Sequence, residues 1–465
     1  MTTLDRPSSL ARRRRGLGLR PRRRRRRPAR QRGIAILAVV TAIAIALMIV
    51  NEFGTRTTID MLQARNNLDQ TRAHFLARSA LNLSELLLRM QKSIDDNAAK
   101  LQAIGIPPGF SIGEVAGPII GAFGGDEQEV KDSIGIVSMD DVKGLGADIG
   151  RFDVTMVPVD GKINVNCAAT DSQKKRLSVM LKSLFFPYAT NAMFDDEDAE
   201  GWRRDFQTQV EAIIDYIDVD TSHVDVKDRP IPPGTPAPTT LPQGGGEDYG
   251  YENLRDRYKP KNNRIDSVGE LRLVRGIDDR MWTLFSGAFR VHGGCPISVR
   301  ALDDITVISA VISAGAAADD PNVRADPNLP LKLASLVVQA RAVDITFPTV
   351  KEFTDFVADP VTILAAMAQE AQQNPTPGMP DLAGLIKDPS LKGIKLVDAQ
   401  VRGILTDQPP RAYEVEAYAE VDRMPPLLPL RRTIRGMWDM RAHLDQPRFP
   451  KPAPSEGAWQ WLREQ

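Results

Sequence analysis

The feature that most restricts this chain is a run of seventeen residues without a charge, Ile34 to Val50 (IAILAVVTAIAIALMIV). At about 1.5 Å per residue it makes a helix of roughly 25 Å, long enough to cross the hydrocarbon of a bilayer. Directly before it lies an arginine-rich stretch: Arg12 to Arg15, Arg22 to Arg27, Arg30 and Arg32. Residues 1–33 hold fourteen arginines against one acid, Asp5, a balance of +13. Lys+Arg and Asp+Glu are each 60 in the whole chain, so residues 34–465 carry −13. The basic flank is expected to stay cytoplasmic and the rest of the chain to face the other side. An acidic body lacks the basic face that a phosphate backbone demands, which argues against nucleic acid as its partner. A secretory signal peptide would show a small-x-small cleavage site after the apolar run. Ile49-Val50-Asn51-Glu52-Phe53 does not supply one.

The helix does not stop at the apolar run. Met61, Leu62, Leu68, Phe75, Leu76, Leu83, Leu86, Leu87 and Met90 follow near i, i+3, i+4 and i+7 spacing. No proline interrupts residues 34–106. One helix of about 60 residues, roughly 90 Å, is therefore expected to lead from membrane to body. Downstream, residues 104–126 and 221–263 are rich in Gly and Pro and read as loops. RFDVTMVPVDGKINVN alternates, predicting a hairpin of Phe152–Val157 with Lys162–Val165 about Asp160-Gly161. Helical spacing recurs at Leu177, Met180, Leu181 and Leu184, and at Phe206, Val210, Ile213, Ile214 and Ile217. Residues 265–289 read as two helices about a tight turn at Gly276. Further helices are expected over 296–314 and 349–360, with ADDPNVRADPNLP as a linker between them. Three antiparallel strands are expected at 392–403, 412–422 and 430–442. Strands thus flank a helical middle, as if helices had been inserted into an α+β fold.

Several blocks together resemble one family. Arg32-Gly33 stands directly before the apolar run, and the long helix that follows is similar to that of type IV pilin-like proteins. RQRGIAILAVVTAIAIALMIVNEF, AHFLARSALNLSELLL, KINVNCAATDSQKKRL, AIIDYIDVDT, ELRLVRGI and AYEVEAYAEVDR, in this order, resemble general secretion pathway protein K, the large minor pseudopilin of type II secretion. The resemblance covers most of residues 33–443. Most pilins carry Glu five residues after the processing site; Ala38 stands there in this chain, as this branch also lacks the acid. The resemblance implies an α+β, pilin-like fold interrupted by an all-helical domain with helix-hairpin-helix-like units. It divides the chain into a leader (1–33), a transmembrane helix (34–50), a pilin-like domain (51–165 and 390–445), an inserted helical domain (166–330), a helical and loop connection (331–389) and a tail (446–465). It implies cleavage between Gly33 and Ile34 by a prepilin peptidase, then methylation. It places the protein in a bacterial inner membrane with its body in the periplasm. It also implies minor pseudopilins of families I and J, other pseudopilins and the inner-membrane assembly platform as partners, with exported proteins as further contacts. The implied role is non-catalytic: capping the pseudopilus tip and starting its assembly.

Few residues suggest local chemistry. There is no HExxH, GxSxG or GxxxxGK[ST], and the four histidines are isolated in sequence. Asp215, Asp218 and Asp220 crowd one helix end and repel one another unless solvated or neutralised by a cation. The family resemblance implies calcium, carried here onto Asp218, Asp220, Glu247 and Asp248. Cys167 and Cys295 are the two thiols. A bridge between them and two separate small buried residues are both open readings. ELRLVRGI resembles a helix-hairpin-helix turn whose amides, with Arg272 and Arg275, could hold a DNA phosphate. A membrane-anchored DNA-uptake factor is therefore the alternative, against which Asp278-Asp279 would repel a phosphate.

Overall fold

The computed structural model describes residues 30–97, 100, 150–188, 192–194, 205–221, 223–224, 250–252, 254–317, 319–343, 345–373, 391–423, 428–441 and 458–464. The arginine-rich stretch up to residue 29, the Gly/Pro-rich stretch 104–126 and residues Glu247 and Asp248 lie outside these. The chain divides into two units, Met1–Leu68 and Asp69–Gln465. The first helix, α1, runs Arg30–Asp96.

Within the first unit every residue from Ile34 to Arg65 is exposed. Ile34, Met48 and Phe53 show 68 %, 73 % and 71 % of their surface. This segment of α1 is apolar around its whole circumference up to Val50, the composition of a helix solvated by lipid. The Thr41 hydroxyl donates to the Ala38 carbonyl at 3.0 Å. The one hydroxyl of the run is thereby satisfied inside its own helix. The first charges after it, Glu52 and Arg56, pair at 2.7 Å one turn apart, where a helix would leave the bilayer.

In the second unit α1 buries Ala73, Leu76, Ala77, Ala80, Leu81, Ser84 and Leu88, a stripe at 3- and 4-residue spacing. It covers one face of a four-stranded antiparallel sheet of order β1-β6-β7-β8. Strand β1 is Arg151–Pro158. It is followed by β2 (Ile163–Asn164), then, far along the chain, β3 (Phe289–Arg290), β4 (Ile297–Ser298) and β5 (Leu405–Thr406). The sheet is completed by β6 (Ala412–Val421), β7 (Leu430–Asp439) and β8 (Ala458–Glu464). Phe152, Val154, Tyr413, Val415, Ala417, Ala419, Ile434 and Trp438 face the helix. Small residues on both sides, Ala77 and Ala80 against Ala417 and Ala419, permit close approach. The opposite face of β6 carries Glu414, Glu416, Tyr418 and Glu420. Two of these acids pair with β7, Glu420 with Arg431 at 2.8 Å and Glu416 with Arg435 at 3.0 Å.

Between β1 and β6 lies a helical unit with one continuous core from Ile163 to Leu405. Its helices are α2 (Asp171–Phe185), α3 (Phe206–Ile217), α4 (Asp279–Phe285), α5 (Ile305–Gly315), α6 (Pro321–Ala325), α7 (Leu329–Arg341), α8 (Val350–Ala358), α9 (Pro360–Gln373) and α10 (Asp398–Ile404). Side-chain caps mark several starts: Thr170 for α2, Asp205 for α3, Asp304 for α5 and Thr349 for α8. The long helix, the antiparallel sheet and the interposed helices make up the α+β arrangement that the sequence resemblance implies.

Three local expectations are corrected. The hairpin about Asp160-Gly161 does not form: β1 pairs with β6, and β2 pairs in parallel with β3. Asp160 is buried, and a side chain on Gly161 would run into the Ala301 carbonyl, so this turn is packed inside the body rather than closing a hairpin. Residues 398–404 are the helix α10, not a strand. The stretch 321–325 within the expected linker is one helical turn, α6. Within residues 446–465, 458–464 form β8, pairing with β7 from Asp439↔Ala458 to Ile434↔Glu464. Trp459 packs edge-on against Trp438 at 5.1 Å, and its indole N–H donates to Glu85 of α1 at 2.8 Å. Helices α7 and α8 share the core of the helical unit.

Candidate functional site

The acidic end of α3 is where the sequence concentrates charge. Asp215 and Asp218 are buried there, at 5 % and 1 % exposure. Lys174 of α2 reaches between two of the acids, its Nζ 2.6 Å from Asp218 Oδ2 and 2.5 Å from Asp220 Oδ2. Burial pulls the Lys174 ammonium down, but the hydrogen bonds it donates to Asp218 and Asp220 outweigh it and hold the group above its usual value. Burial pushes the Asp218 carboxyl up, opposed by Lys174. Asp218 Oδ1 is buried with no hydrogen-bond donor among the described residues. Asn262, in a left-handed turn (φ 44°), donates its backbone N–H to the Tyr216 carbonyl at 3.0 Å and its side-chain amide to the Asp220 carbonyl at 3.0 Å. Of the four residues expected to hold calcium, Asp218 and Asp220 thus share one locus, with a lysine ammonium where a cation would sit. Glu247 and Asp248 lie outside the described residues. Among the described residues no group of three or more His, Cys, Asp or Glu is arranged to hold a metal.

One turn back, Glu211 and Asp215 flank His223, whose Nδ1 lies 2.6 Å from Asp215 Oδ2 and whose Nε2 lies 3.5 Å from Glu211 Oε2. Val224 N–H donates to the other Asp215 oxygen at 2.9 Å. Hydrogen bonds to Asp215 and Glu211 raise the His223 imidazole to about 10. Burial pushes Asp215 upward, and His223 holds it back; the shared proton resides on the imidazole. Glu211 and Asp215 thus form an ion triad with the His223 ring. Its folded-state value lies above the ordinary 6.5. Its contribution to stability is therefore full below pH 6.5 and disappears as pH rises through about 10. His223 is nearly half exposed, so the effect should be about 1 kcal/mol. Chemical denaturation of wild type from pH 6 to 10.5 should show the decline, and His223→Gln should flatten it; identical slopes would refute the assignment.

Cys167, just after β2, and Cys295, just after β3, form a disulfide with Cα atoms 5.6 Å apart. Nearby, Asn166 donates to the Ile265 and Val291 carbonyls and accepts from Ile265 N–H, so the KINVN segment pins two distant loops. Close by is a charged hub that sequence reading did not find. Asp160, 2 % exposed, accepts from Arg290 Nη1 at 2.7 Å, Arg441 Nη2 at 2.6 Å, and the backbone N–H groups of Arg411 and Ala412 at 2.5 and 3.0 Å. Arg290 also donates to the Lys162, His292 and Gly294 carbonyls. Gly293 (φ +93°) leaves room for this guanidinium, which a side chain there would strike. The partners are 130, 281, 251 and 252 residues from Asp160, beyond any local motif.

The turn within residues 268–285 does not present a phosphate site. Val268–Leu273 is a 3₁₀ helix, and Gly276 (φ 88°) makes the turn. Asp278 caps α4 by accepting from Met281 N–H at 2.9 Å, filling the position at the helix start that an anion would take. Arg272 pairs with Asp279 and lies over the Trp282 ring at 5.4 Å, and Arg275 is buried. Neither arginine offers a basic face.

No family model and no curated protein matches this chain. Among solved structures it is similar to the crystal structure of the GspK-GspI-GspJ complex from the enterotoxigenic Escherichia coli Type 2 Secretion System. The identity is 12%, the TM-score 0.35, and the match covers 68% of this chain and 80% of that chain.

Proposed function

We propose that this chain is a minor pseudopilin of a type II secretion system, acting by assembly rather than catalysis. The observation that carries the reading is the two-part character of α1. Its amino-terminal segment is long and apolar enough to cross a membrane and is exposed throughout; its later segment is sealed onto an antiparallel sheet. On this reading residues 1–33 are a cytoplasmic leader that a prepilin peptidase removes after Gly33, leaving Ile34 as a methylated amino terminus. The anchor then holds the body on the periplasmic side of the inner membrane until the assembly platform moves it into the filament. Ala38 offers no carboxylate to the amino terminus of a neighbouring subunit, and leaving that charge buried and unpaired is costly. A helical unit interposed between β1 and β6 adds bulk beside the rod. Both features support a place at the tip, with minor pseudopilins of families I and J as partners and a part in starting assembly and meeting exported proteins.

The test is co-expression with a matching prepilin peptidase and sequencing of the mature amino terminus. Ile34 is the expected first residue, and Gly33→Ala should abolish processing. An intact leader, or a cut near Phe53, would overturn the proposal.

Calcium at the acidic end of α3 belongs to the same proposal, supported by the donor-free Asp218 Oδ1 and opposed by Lys174. Calcium should raise the melting midpoint over chelator, and more so in Lys174→Met, which removes the competing ammonium. Equal midpoints in both proteins would exclude the ion.

A further inference from the structure

A cavity of about 470 Å³ lies in the helical unit between α2, the end of α5, the α6–α7 segment and α10. That size is within the roughly 300–1,000 Å³ of small-molecule sites. Its apolar lining includes Val179, Phe186, Ala314, Val323 and Ile404. Among the described residues, the charged ones that line it are Lys175, Arg176 and Lys182, all from α2, and no Asp or Glu lines it. This is the reverse of the body as a whole, which carries −13. Lys175 and Arg176 have no carboxylate partner among the described residues; Arg176 Nη1 donates to the Gly403 carbonyl at 3.2 Å, its guanidinium held at the cavity by that bond. Lys182 is buried beneath them, at 1 % exposure.

The geometry points to a binding site for a single-chain amphiphile with a carboxylate head, of the fatty-acid class. The cationic pair on α2 would take the carboxylate, and the apolar walls would take the acyl chain. Most of the wall is helical, with backbone N–H and C=O groups paired inside the helices, and the non-helical lining residues Ala316, Ala317 and Pro327 belong to no strand along which a peptide could pair. An acyl chain needs none. A chain anchored by Ile34–Val50 stays at a lipid surface, where such molecules are available. Gly403 on α10 marks the wall that can be built inward: a Cβ there would meet Arg176 Cδ at 3.7 Å, an ordinary contact.

The test uses the full chain in lipid nanodiscs, with empty nanodiscs as the baseline, and dodecanoate displacing a fluorescent fatty acid. Saturable binding near one per chain is expected. Dodecanol should bind at least tenfold more weakly, as should dodecanoate to Gly403→Leu. The double substitution Lys175→Glu, Arg176→Glu should lose at least tenfold as well, and stands as the test if Gly403→Leu does not melt cooperatively. Absence of saturable binding, equal binding of dodecanol, or equal binding by the variants would overturn the inference. So would tighter binding of an acidic apolar pentapeptide, which would make the cavity a protein-docking site.

Discussion

Replacing Cys167 and Cys295 with serine is expected to lower the free energy of unfolding by about 4–5 kcal/mol. The bond closes a loop whose ends are 128 residues apart, and loop-closure entropy lost from the unfolded chain at that length is about 5 kcal/mol. The closure acts within the helical unit, joining the loop after β2 to the loop between β3 and β4, so it restrains the segment that leaves β1 against the segment after α4. Guanidinium unfolding of oxidised wild type and the double-serine variant measures the difference. Reduction of the wild type should reproduce the variant. A difference under about 1 kcal/mol, or two free thiols titrated in denaturant without reductant, would defeat this expectation. A bridge of this weight suits an oxidising compartment, in agreement with the proposed periplasmic body.

Asp160→Ala should cost about 3–5 kcal/mol, because it leaves the charge of Arg290 buried without its counter-ion. Arg290 is 3 % exposed, and burial already lowers its guanidinium below the ordinary value. Arg441 would keep only the weaker contact to Asp439 at 3.5 Å. The backbone N–H groups of Arg411 and Ala412 would also lose their acceptor. The double substitution Asp160→Ala, Arg290→Met should be less damaging than Asp160→Ala alone, since it removes the stranded charge as well. Additive losses in that pair would show that the hub acts through packing rather than charge.

Much of the fold was legible where periodicity was long and one-sided. The helix α1, the helices α2 and α3, and the strands β6 and β7 each repeat their apolar residues over eight or more positions, and each forms as its period predicts. The failures share a cause. KGIKLVDAQVRG alternates over a few residues, too short a window to separate a strand from the seven-residue helix that packs there under α5. Asp160-Gly161 carries the residues of a hairpin turn, yet the carboxylate is claimed by two arginines and two amides from distant segments, and tertiary demand overrides local preference. β8 is marked only by Trp459 and Trp461, which become meaningful once β7 and Glu85 are beside them. The acids at the end of α3 were visible as a cluster, but their neutralisation by Lys174 and His223 depends on α2 and on the residues after α3 folding back. The cationic cavity was invisible, because its walls come from five helices whose individual sequences look like ordinary core.

One consequence follows from how β1 and β6 meet. Pro158 stands opposite Tyr413, and Val159 N–H donates to the Ala412 carbonyl at 2.9 Å. The polypeptide therefore departs from the sheet and rejoins it at the same point. Residues 161–410 thus connect two neighbouring strands of one sheet. Exchanging them for an Asn-Gly dipeptide would join β1 to β6 directly and leave the long helix and its sheet without the interposed unit, against which the contribution of that unit to assembly could be weighed.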